Sequence, residues 1–508
     1  MKRAAFLVMI ITILSKILGF GREIVLSYLY GASDITDAYL ISQTVPTVIF
    51  SFVSSGITTT FVPMYSRILA KEGKSGASRY TNNLTNAILM LSTIIVVVVL
   101  AFTEPIVMLF ASGFSGETLQ LAAQFTRITV LGVYFTGLLG VYGGFLRIHG
   151  NHLIPASVAV PSNLIIIGSL FVGARSNIYW LAIGVFLAAL AQLLFFLPFV
   201  HKSGHRYQPV LDLNDEHMKK MAIMAIPVIL GTSVNEINVL VSRSLASGLA
   251  VGGISALTYA GRVTGFIKAL FVLSITTVLY PIISKMAASE NIKGLKAAIS
   301  EAMSIVNLLV VPAVIGCMVF SREIVVLLFG RGAFSAEAID MTANALLYYS
   351  IGMIGYGITA VLTRAFYALQ DTRTPMINAT ISLVLNIVLN LTLARYLGLS
   401  GLALATSIAG TGGAILMFFS IGRRVGGLGL KGIALSSVKI GFASVLMGLV
   451  ALWSFGAFGR VLTQNLAFVA AVGVAAVSYS ILIYFMRIPE VEQMINALKQ
   501  KIGKRASG

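Results

Sequence analysis

Residues 13–30 read ILSKILGFGREIVLSYLY, an apolar run long enough to cross a bilayer that nevertheless carries Lys16, Arg22 and Glu23 beside Gly19 and Gly21. A charged side chain near the bilayer centre costs about 2.5 to 3.5 kcal/mol on insertion scales, so such groups face a bundle interior or a wet cavity and mark a pathway. Arg22 is therefore the first candidate for substrate contact.

The remainder of the chain agrees with a membrane setting. Of 508 residues, 57% are hydrophobic and only 11% charged, with a mean hydropathy of +0.92, whereas soluble domains carry about 25% charged residues. The apolar runs are about 20 residues long, the length an α-helix needs to cross the hydrocarbon, while barrel strands would be shorter and alternating. The opening Met1-Lys2-Arg3 and the apolar residues 4–14 resemble a secretory signal peptide. No small-residue cleavage site follows, so the segment is expected to stay as the first helix. Cys317 is the sole cysteine, in an apolar run; that excludes an internal disulfide and a thiol metal cluster, and it reads as a small buried hydrophobe.

The net charge of +18 would suit nucleic acid, but its distribution speaks for topology. Lys and Arg gather in alternate connections, at Arg67 to Arg79, Lys202 to Lys220, Lys285 to Lys296 and Arg423 to Lys431, while residues 31–36, 112–118 and 248–255 have none. The positive-inside rule makes the basic connections and both termini cytoplasmic.

Spans are expected at 4–29, 37–65, 82–110, 120–147, 153–173, 178–201, 219–247, 254–284, 297–320, 340–368, 376–396, 400–422, 433–457 and 464–487, an all-α polytopic protein of fourteen transmembrane helices. An internal repeat organises them. Ile57-Thr58-Thr59, Pro63 and Ser66-Arg67 recur as Ile275-Thr276-Thr277, Pro281 and Ser284-Lys285, each displaced by 218 residues, and EPIVMLFASGFS from Glu104 recurs as EIVVLLFGRGAFS from Glu323. A parallel duplication of six helices predicts two lobes, 1–218 and 219–425, followed by an additional helix pair at 426–488. Two such lobes around a midplane site are a transporter plan. The tail, 489–508, sets Val491, Met494, Ile495, Leu498 and Ile502 on one helical face with Lys499, Lys501, Lys504 and Arg505 supplying charge. That suits an amphipathic helix on anionic lipid, or a basic end that only fixes topology.

Beyond the connections, few ionisable residues stand at apparent membrane depth: Lys16, Arg22, Glu23, Arg127, Glu236, Arg243, Arg262, Lys268, Arg364 and Lys439. Arg127, Arg364 and Lys439 lie within snorkelling reach of an end. Arg22, Arg243 and Arg262, on the first two helices of either repeat, are expected to serve anion binding, since arginine donates paired hydrogen bonds to phosphate and stays ionised. The competing reading holds helices together through Arg22 with Glu23 or Glu236, and through Arg243 and Lys268. Adjacent helical residues point about 100 degrees apart, so Arg22 and Glu23 are not expected to face one spot squarely. No catalytic pattern is present: the five histidines sit in or beside cytoplasmic connections without metal-ligand spacing, and there is no GxxxxGK[ST] sequence for ATP. Asn386 and Asn390, one turn apart, with Thr406 form a polar cluster that is either a monovalent-cation site or an interhelical hydrogen-bond set.

Ser15-Lys16-Ile17-Leu18-Gly19-Phe20-Gly21-Arg22-Glu23 resembles the opening S-R-x-L-G-F-x-R-D signature of the MurJ/MviN lipid II flippases, in the multidrug/oligosaccharidyl-lipid/polysaccharide exporter superfamily. Thr36-Asp37-Ala38-Tyr39, Phe61-Val62-Pro63 and Tyr259-Ala260-Gly261-Arg262 match as well. The resemblance implies that Ser15, Lys16, Arg22, Glu23 and Arg262 bind the diphosphate of a lipid-linked disaccharide-peptide, carried from the inner to the outer leaflet of the bacterial cytoplasmic membrane by alternating access. Arg243 and Lys268 join that set by position. Lys16 stands where the family has Arg, Glu23 where it has Asp, and no Arg occupies the cationic position near Phe50-Ser51. The resemblance also implies a sodium site in which Asn386, Asn390 and Thr406 match, but Ser242 replaces the acid. A sodium or proton gradient, or the membrane potential, is the expected energy source, and a monomer the expected state. A flippase for another polyprenyl-diphosphate saccharide or a multidrug exporter of the same superfamily are the alternatives; the exporter would want acids in its cleft to hold cationic drugs.

Overall fold

A computed structural model describes residues 2–428, 430–488 and 491–492, and among them every long regular element is a helix. By length and hydropathy nine of these helices can cross a membrane, or ten when the bent pair Glu216–Ile229 and Gly231–Leu249 is taken as one. Two of the nine are much longer than a single crossing requires. Helix α1 is Lys2–Tyr30, and α2 runs Asp34–Ala101, 68 residues, turning at Gly73, where φ is 70° and ψ −166°. The expected loop around Arg67, Lys71, Lys74 and Arg79 is therefore helical apart from that one residue, with all four cations exposed. Lys, Glu and Ala there propagate a helix well, and only a residue without Cβ takes the positive φ that reverses it.

The other helices of the first half are α3 (Thr103–Phe110), α4 (Gly116–Thr129), α5 (Val133–Ile148), α6 (Leu153–Ser157), α7 (Ala159–Arg175), α8 (Trp180–Lys202) and α9 (Glu216–Leu249). In the second half follow α10 (Gly253–Lys268), a π-helical turn at Ala269–Leu273, α11 (Ser274–Ala288), α12 (Ile292–Val319), α13 (Ser321–Phe329), α14 (Ala336–Ala368), α15 (Arg373–Val425, turning at Gly398), α16 (Leu430–Phe458) and α17 (Gln464–Phe485). The third expected span, 82–110, breaks at Phe102. Pro105 has no amide to give to the carbonyl of Ala101, and α2 ends there.

The chain divides into two compact units: residues up to Ser255 with Arg331–Ala338, and Ala256–Gly330 with the described residues from Ile339 onward. The first is built round an aromatic column in which Phe61 stacks on Tyr80 at 6.0 Å and Tyr65 meets Phe145 edge-on at 5.8 Å. Helix α9, which the repeat places at the head of the second lobe, lies within this first unit along α2. Ser55 and Thr232 hydroxyls meet at 3.1 Å, and a Cβ at Gly56 would stand 2.9 Å from that of Ala225, so only glycine admits this approach. Asn82, Asn83 and Asn86 of α2 bind the backbone of residues 206–212, with Asn83 pairing Asp212 through both its amide and its carbonyl.

The second unit packs Val306, Val310, Met353, Leu362 and Phe366 into one core. Phe320 against Phe455 and Phe468 joins α12 to the last two helices. Lys439, expected to snorkel, donates at 3.1 Å to the Met486 carbonyl just past the end of α17, where a cation favours the helix dipole. The amphipathic tail lies outside the described residues except for Val491 and Glu492.

Two prolines inside the spans are accommodated by side chains from neighbours. Pro312 leaves the Leu308 carbonyl without its helical donor, and the Tyr479 hydroxyl supplies one at 2.7 Å. Pro46 likewise frees the Ser42 carbonyl, taken by the Thr129 hydroxyl at 2.5 Å. A freed carbonyl with no water near costs about 1–3 kcal/mol. Tyr479→Phe is accordingly expected to lower the thermal midpoint in detergent by several degrees, whereas Tyr484→Phe, at an exposed ring, leaves it unchanged. Equal midpoints for the two would refute the role given to the Tyr479 hydroxyl.

Candidate functional site

Helix α1 packs against α6 and α7, with Ile13, Leu14 and Ile17 exposed and Glu23 buried. Ser15, Gly19 and Arg22 fall on one face at spacings of four and three. Ser15 is buried, with its hydroxyl lacking a hydrogen-bond partner among the described residues, and Lys16 is exposed. Arg22 Nη2 donates to Glu23 Oε1 at 2.7 Å, with Glu23 almost fully buried and the Arg22 side chain 22% exposed. Arg22 and Glu23 thus pair, as the competing structural reading has it, although as neighbours on one helix they do not face one spot squarely. The four-bond stem of arginine carries its head round the helix to the neighbouring carboxylate. That arrangement orients the fork and balances its charge while keeping donors available to an anion.

At the opposite end of α1 the first unit closes on itself. Asp37, in the first turn of α2, is 1% exposed and accepts from the Ser255 amide at 2.7 Å and from the Ser255 hydroxyl. Ser255 is the third residue of α10, so the carboxylate sits at the positive end of that helix. Arg243 of α9 donates at 3.2 Å to the carbonyl of Ile254 and acts electrostatically on Asp37. The position given to Arg243 from sequence is therefore occupied by a contact among the ends of α2, α9 and α10. Under the 218-residue repeat Asp37 and Ser255 are the same position, since 37 + 218 = 255.

The repeated glycine-containing words meet the ends of α9 and α1. The Ser244 hydroxyl donates to that of Ser112 at 2.8 Å, and the Gly113 amide donates to the Ser247 hydroxyl at 3.0 Å. In the second copy the Ala333 amide donates to the Tyr28 carbonyl at 2.9 Å. A Cβ at Gly113 would strike the backbone of Gly248, and one at Gly332, whose φ is +66°, would strike Tyr28. These glycines are needed for close approach.

In the second unit Arg262 is exposed on α10. Lys268 places Nζ 4.9 Å above the ring of Tyr356 on α14, and Arg364 of α14 lies 5.4 Å above that of Tyr280 on α11. Asn386 donates to Thr406 at 3.4 Å, Asn390 donates to Asn386 Oδ1 at 2.9 Å, and Thr406 donates to the Leu402 carbonyl. The first of these joins the two arms of α15 across the turn at Gly398, and the other two run from one turn to the next along a single arm. No group of three or more His, Cys, Asp or Glu suited to a metal occurs among the described residues.

Sequence reasoning passed over Asp37, Ser255, Tyr356 and Tyr280. Asp37 was legible as an acid opening an apolar span, while the tyrosines carry no signal apart from the cations that find them.

The chain matches the family model described as Lipid II flippase MurJ over residues 26–473. A probable lipid II flippase MurJ of Vibrio cholerae is 30% identical over 424 residues, 80% of each chain. Its counterpart in Thermotoga maritima is 27% identical over 493 residues, covering 95% of this chain and 96% of the relative. The solved structure titled "Lipid II flippase MurJ, inward closed conformation" superposes with a TM-score of 0.81 at 26% identity, over 95% of this chain and 99% of that one. An inward-facing multidrug resistance MATE family transporter of the MOP superfamily superposes with a TM-score of 0.70 at 17% identity, over 84% and 98%, a likeness of fold.

Proposed function

This chain belongs to the lipid II flippase MurJ family, and from that premise we propose that it carries lipid II, the lipid-linked peptidoglycan precursor, from the cytoplasmic to the outer leaflet of the bacterial cytoplasmic membrane. The observation that carries the reading is Arg22 held on Glu23 inside an apolar helix, its side chain 22% exposed, a disposition suited to a diphosphate and ill suited to a cationic drug. The headgroup passes by alternating access while the polyprenyl tail stays in lipid. The protein works as a monomer with both termini cytoplasmic and performs no catalytic step of its own.

Each charged residue has an assigned part. Arg22, with Ser15, Lys16 and Glu23 on the same helix, holds the diphosphate, and Arg262, exposed on α10 of the second unit, is a further anion-binding guanidinium. Arg243, beside Asp37, governs closure instead of touching substrate. The membrane potential is the proposed driving force: a charge crossing it gains or loses about 2.3 kcal/mol per 100 mV. Positive site and negative headgroup nearly cancel when bound, so the field acts mainly on the empty protein and resets it.

Reconstitution into proteoliposomes with purified lipid II and a headgroup-accessibility readout tests the function. Flipping of lipid II well above protein-free vesicles is expected, and faster under an inside-negative potential than without one. Equal exposure of headgroup with and without protein would sink the assignment, and indifference to potential would sink the driving force alone.

A further inference from the structure

Helix α14 exposes a different kind of surface from its neighbours. Helix α15 presents Ile377, Ile381, Val384, Val388, Leu391 and Phe419 to its surroundings, as a lipid-facing helix does, whereas α14 exposes no large aliphatic side chain at all. Its exposed large rings are Tyr356 and Tyr367, each 41% exposed, which lie about 20 degrees apart in helical projection, with Arg364 beside them. A tyrosine and arginine stripe of this kind borders water.

Two cations serve this stripe in a reciprocal arrangement. Lys268 of α10 rests on Tyr356 of α14, and Arg364 of α14 rests on Tyr280 of α11. Between Lys268 and Tyr280 the π-helical turn Ala269–Leu273 shifts the helical register. Neither cation has a carboxylate within 4 Å or a hydrogen-bonded partner among the described residues, so an ammonium with three donors and a guanidinium with five are held only by ring faces. Snorkelling accounts for Arg364, four residues from the end of α14, but not for Lys268, fifteen residues into α10, about 22 Å along its axis. Tyr356 and Arg364 are eight residues apart, about 12 Å along the axis of α14.

A ring face holds a cation in place without neutralising it, so both remain ready for an anion. We infer that Lys268 and Arg364, seated on Tyr356 and Tyr280, form a second anion-binding station that takes the carboxylates of the stem peptide of the substrate, apart from the diphosphate at Arg22. This rests on the lipid II assignment above. A diphosphate is a single compact anion, whereas a peptide carrying separated carboxylates offers one anion to each of two cations seated on different rings. The tyrosine faces between them suit sugar C–H surfaces and peptide planes.

The test compares binding of lipid II with that of lipid II whose stem-peptide carboxylates are amidated, using wild type and the Lys268→Gln/Arg364→Gln pair in detergent. The pair is expected to bind ordinary lipid II at least tenfold more weakly than wild type and the amidated form within twofold of wild type. The charge-preserving Lys268→Arg/Arg364→Lys pair is expected to keep affinity for ordinary lipid II within threefold. Equal losses on both lipids, no loss on either, or a charge-preserving pair as weak as the glutamine pair would overturn the station. Wild type binding neither lipid more tightly than phosphatidylglycerol would instead bring down the flippase reading itself.

Discussion

Replacing Arg22 with alanine is expected to cut lipid II flipping at least a hundredfold. Two charge-assisted hydrogen bonds from one guanidinium to a diphosphate contribute about 1.5–3 kcal/mol each, and each 1.36 kcal/mol is a factor of ten. Arg22→Lys keeps the charge but presents a point donor in place of a planar fork, so a loss of about tenfold is expected. The rival explanation is that Arg22 merely compensates Glu23, 2.7 Å away and buried. The two separate in a double-mutant cycle. If Arg22 only balances Glu23, the Arg22→Ala/Glu23→Gln pair recovers most of the activity, because the buried carboxylate has gone with its counter-charge. If Arg22 touches substrate, the pair stays as inactive as Arg22→Ala, while Glu23→Gln alone loses much less. Recovery in the pair would end the case for direct contact.

How far the chain could be read in advance depended on what each feature asks of a single residue type. A charge within hydrocarbon announces itself, and Arg22, Glu23, Arg262 and Lys268 were all visible for that reason. The 218-residue repeat was equally plain, because Ile57-Thr58-Thr59, Pro63 and Ser66 all recur at one unbroken displacement. Partners were not visible. Nothing in the sequence indicates that Lys268 rests on Tyr356, since tyrosines are common in membrane helices and which ring meets which cation is settled by packing. The helical turn around Gly73 was missed because a polar, basic connection reads as a loop, although its Lys, Glu and Ala content favours helix. The partner of Arg243 was hidden for a related reason: its guanidinium reaches a carbonyl at the start of the next helix, which position along a span does not reveal.

Asp37 supplies the second large effect. Its carboxylate, buried in the first turn of α2, holds the amide and hydroxyl of Ser255 at the start of α10, so Asp37→Ala leaves the donors of a helix N-terminus without their acceptor. Hydrogen bonds to a charged group contribute about 1.5–3 kcal/mol, which translates into roughly a ten- to hundredfold shift toward any state in which the ends of α2 and α10 part and water reaches those donors. Ile254 is fully buried at this junction, and a cysteine there, in a Cys317→Ser background, reports that parting by its reaction with a membrane-impermeant maleimide. Labelling is expected to be at least tenfold faster with Asp37→Ala than with Asp37 intact. Asp37→Asn, which keeps one acceptor but no charge, is expected to fall between. Transport should fall as well: alternating access needs each closed state to persist long enough to bind its ligand, and a clasp that opens too readily wastes the inward-facing state. Arg243→Ala, which removes the neighbouring cation but leaves the Asp37 to Ser255 bonds in place, is expected to raise labelling less than Asp37→Ala does. Unchanged labelling in Asp37→Ala would mean that the ends of α2 and α10 are kept together by the close approach of Gly252 to Ala32, with the carboxylate only a passenger.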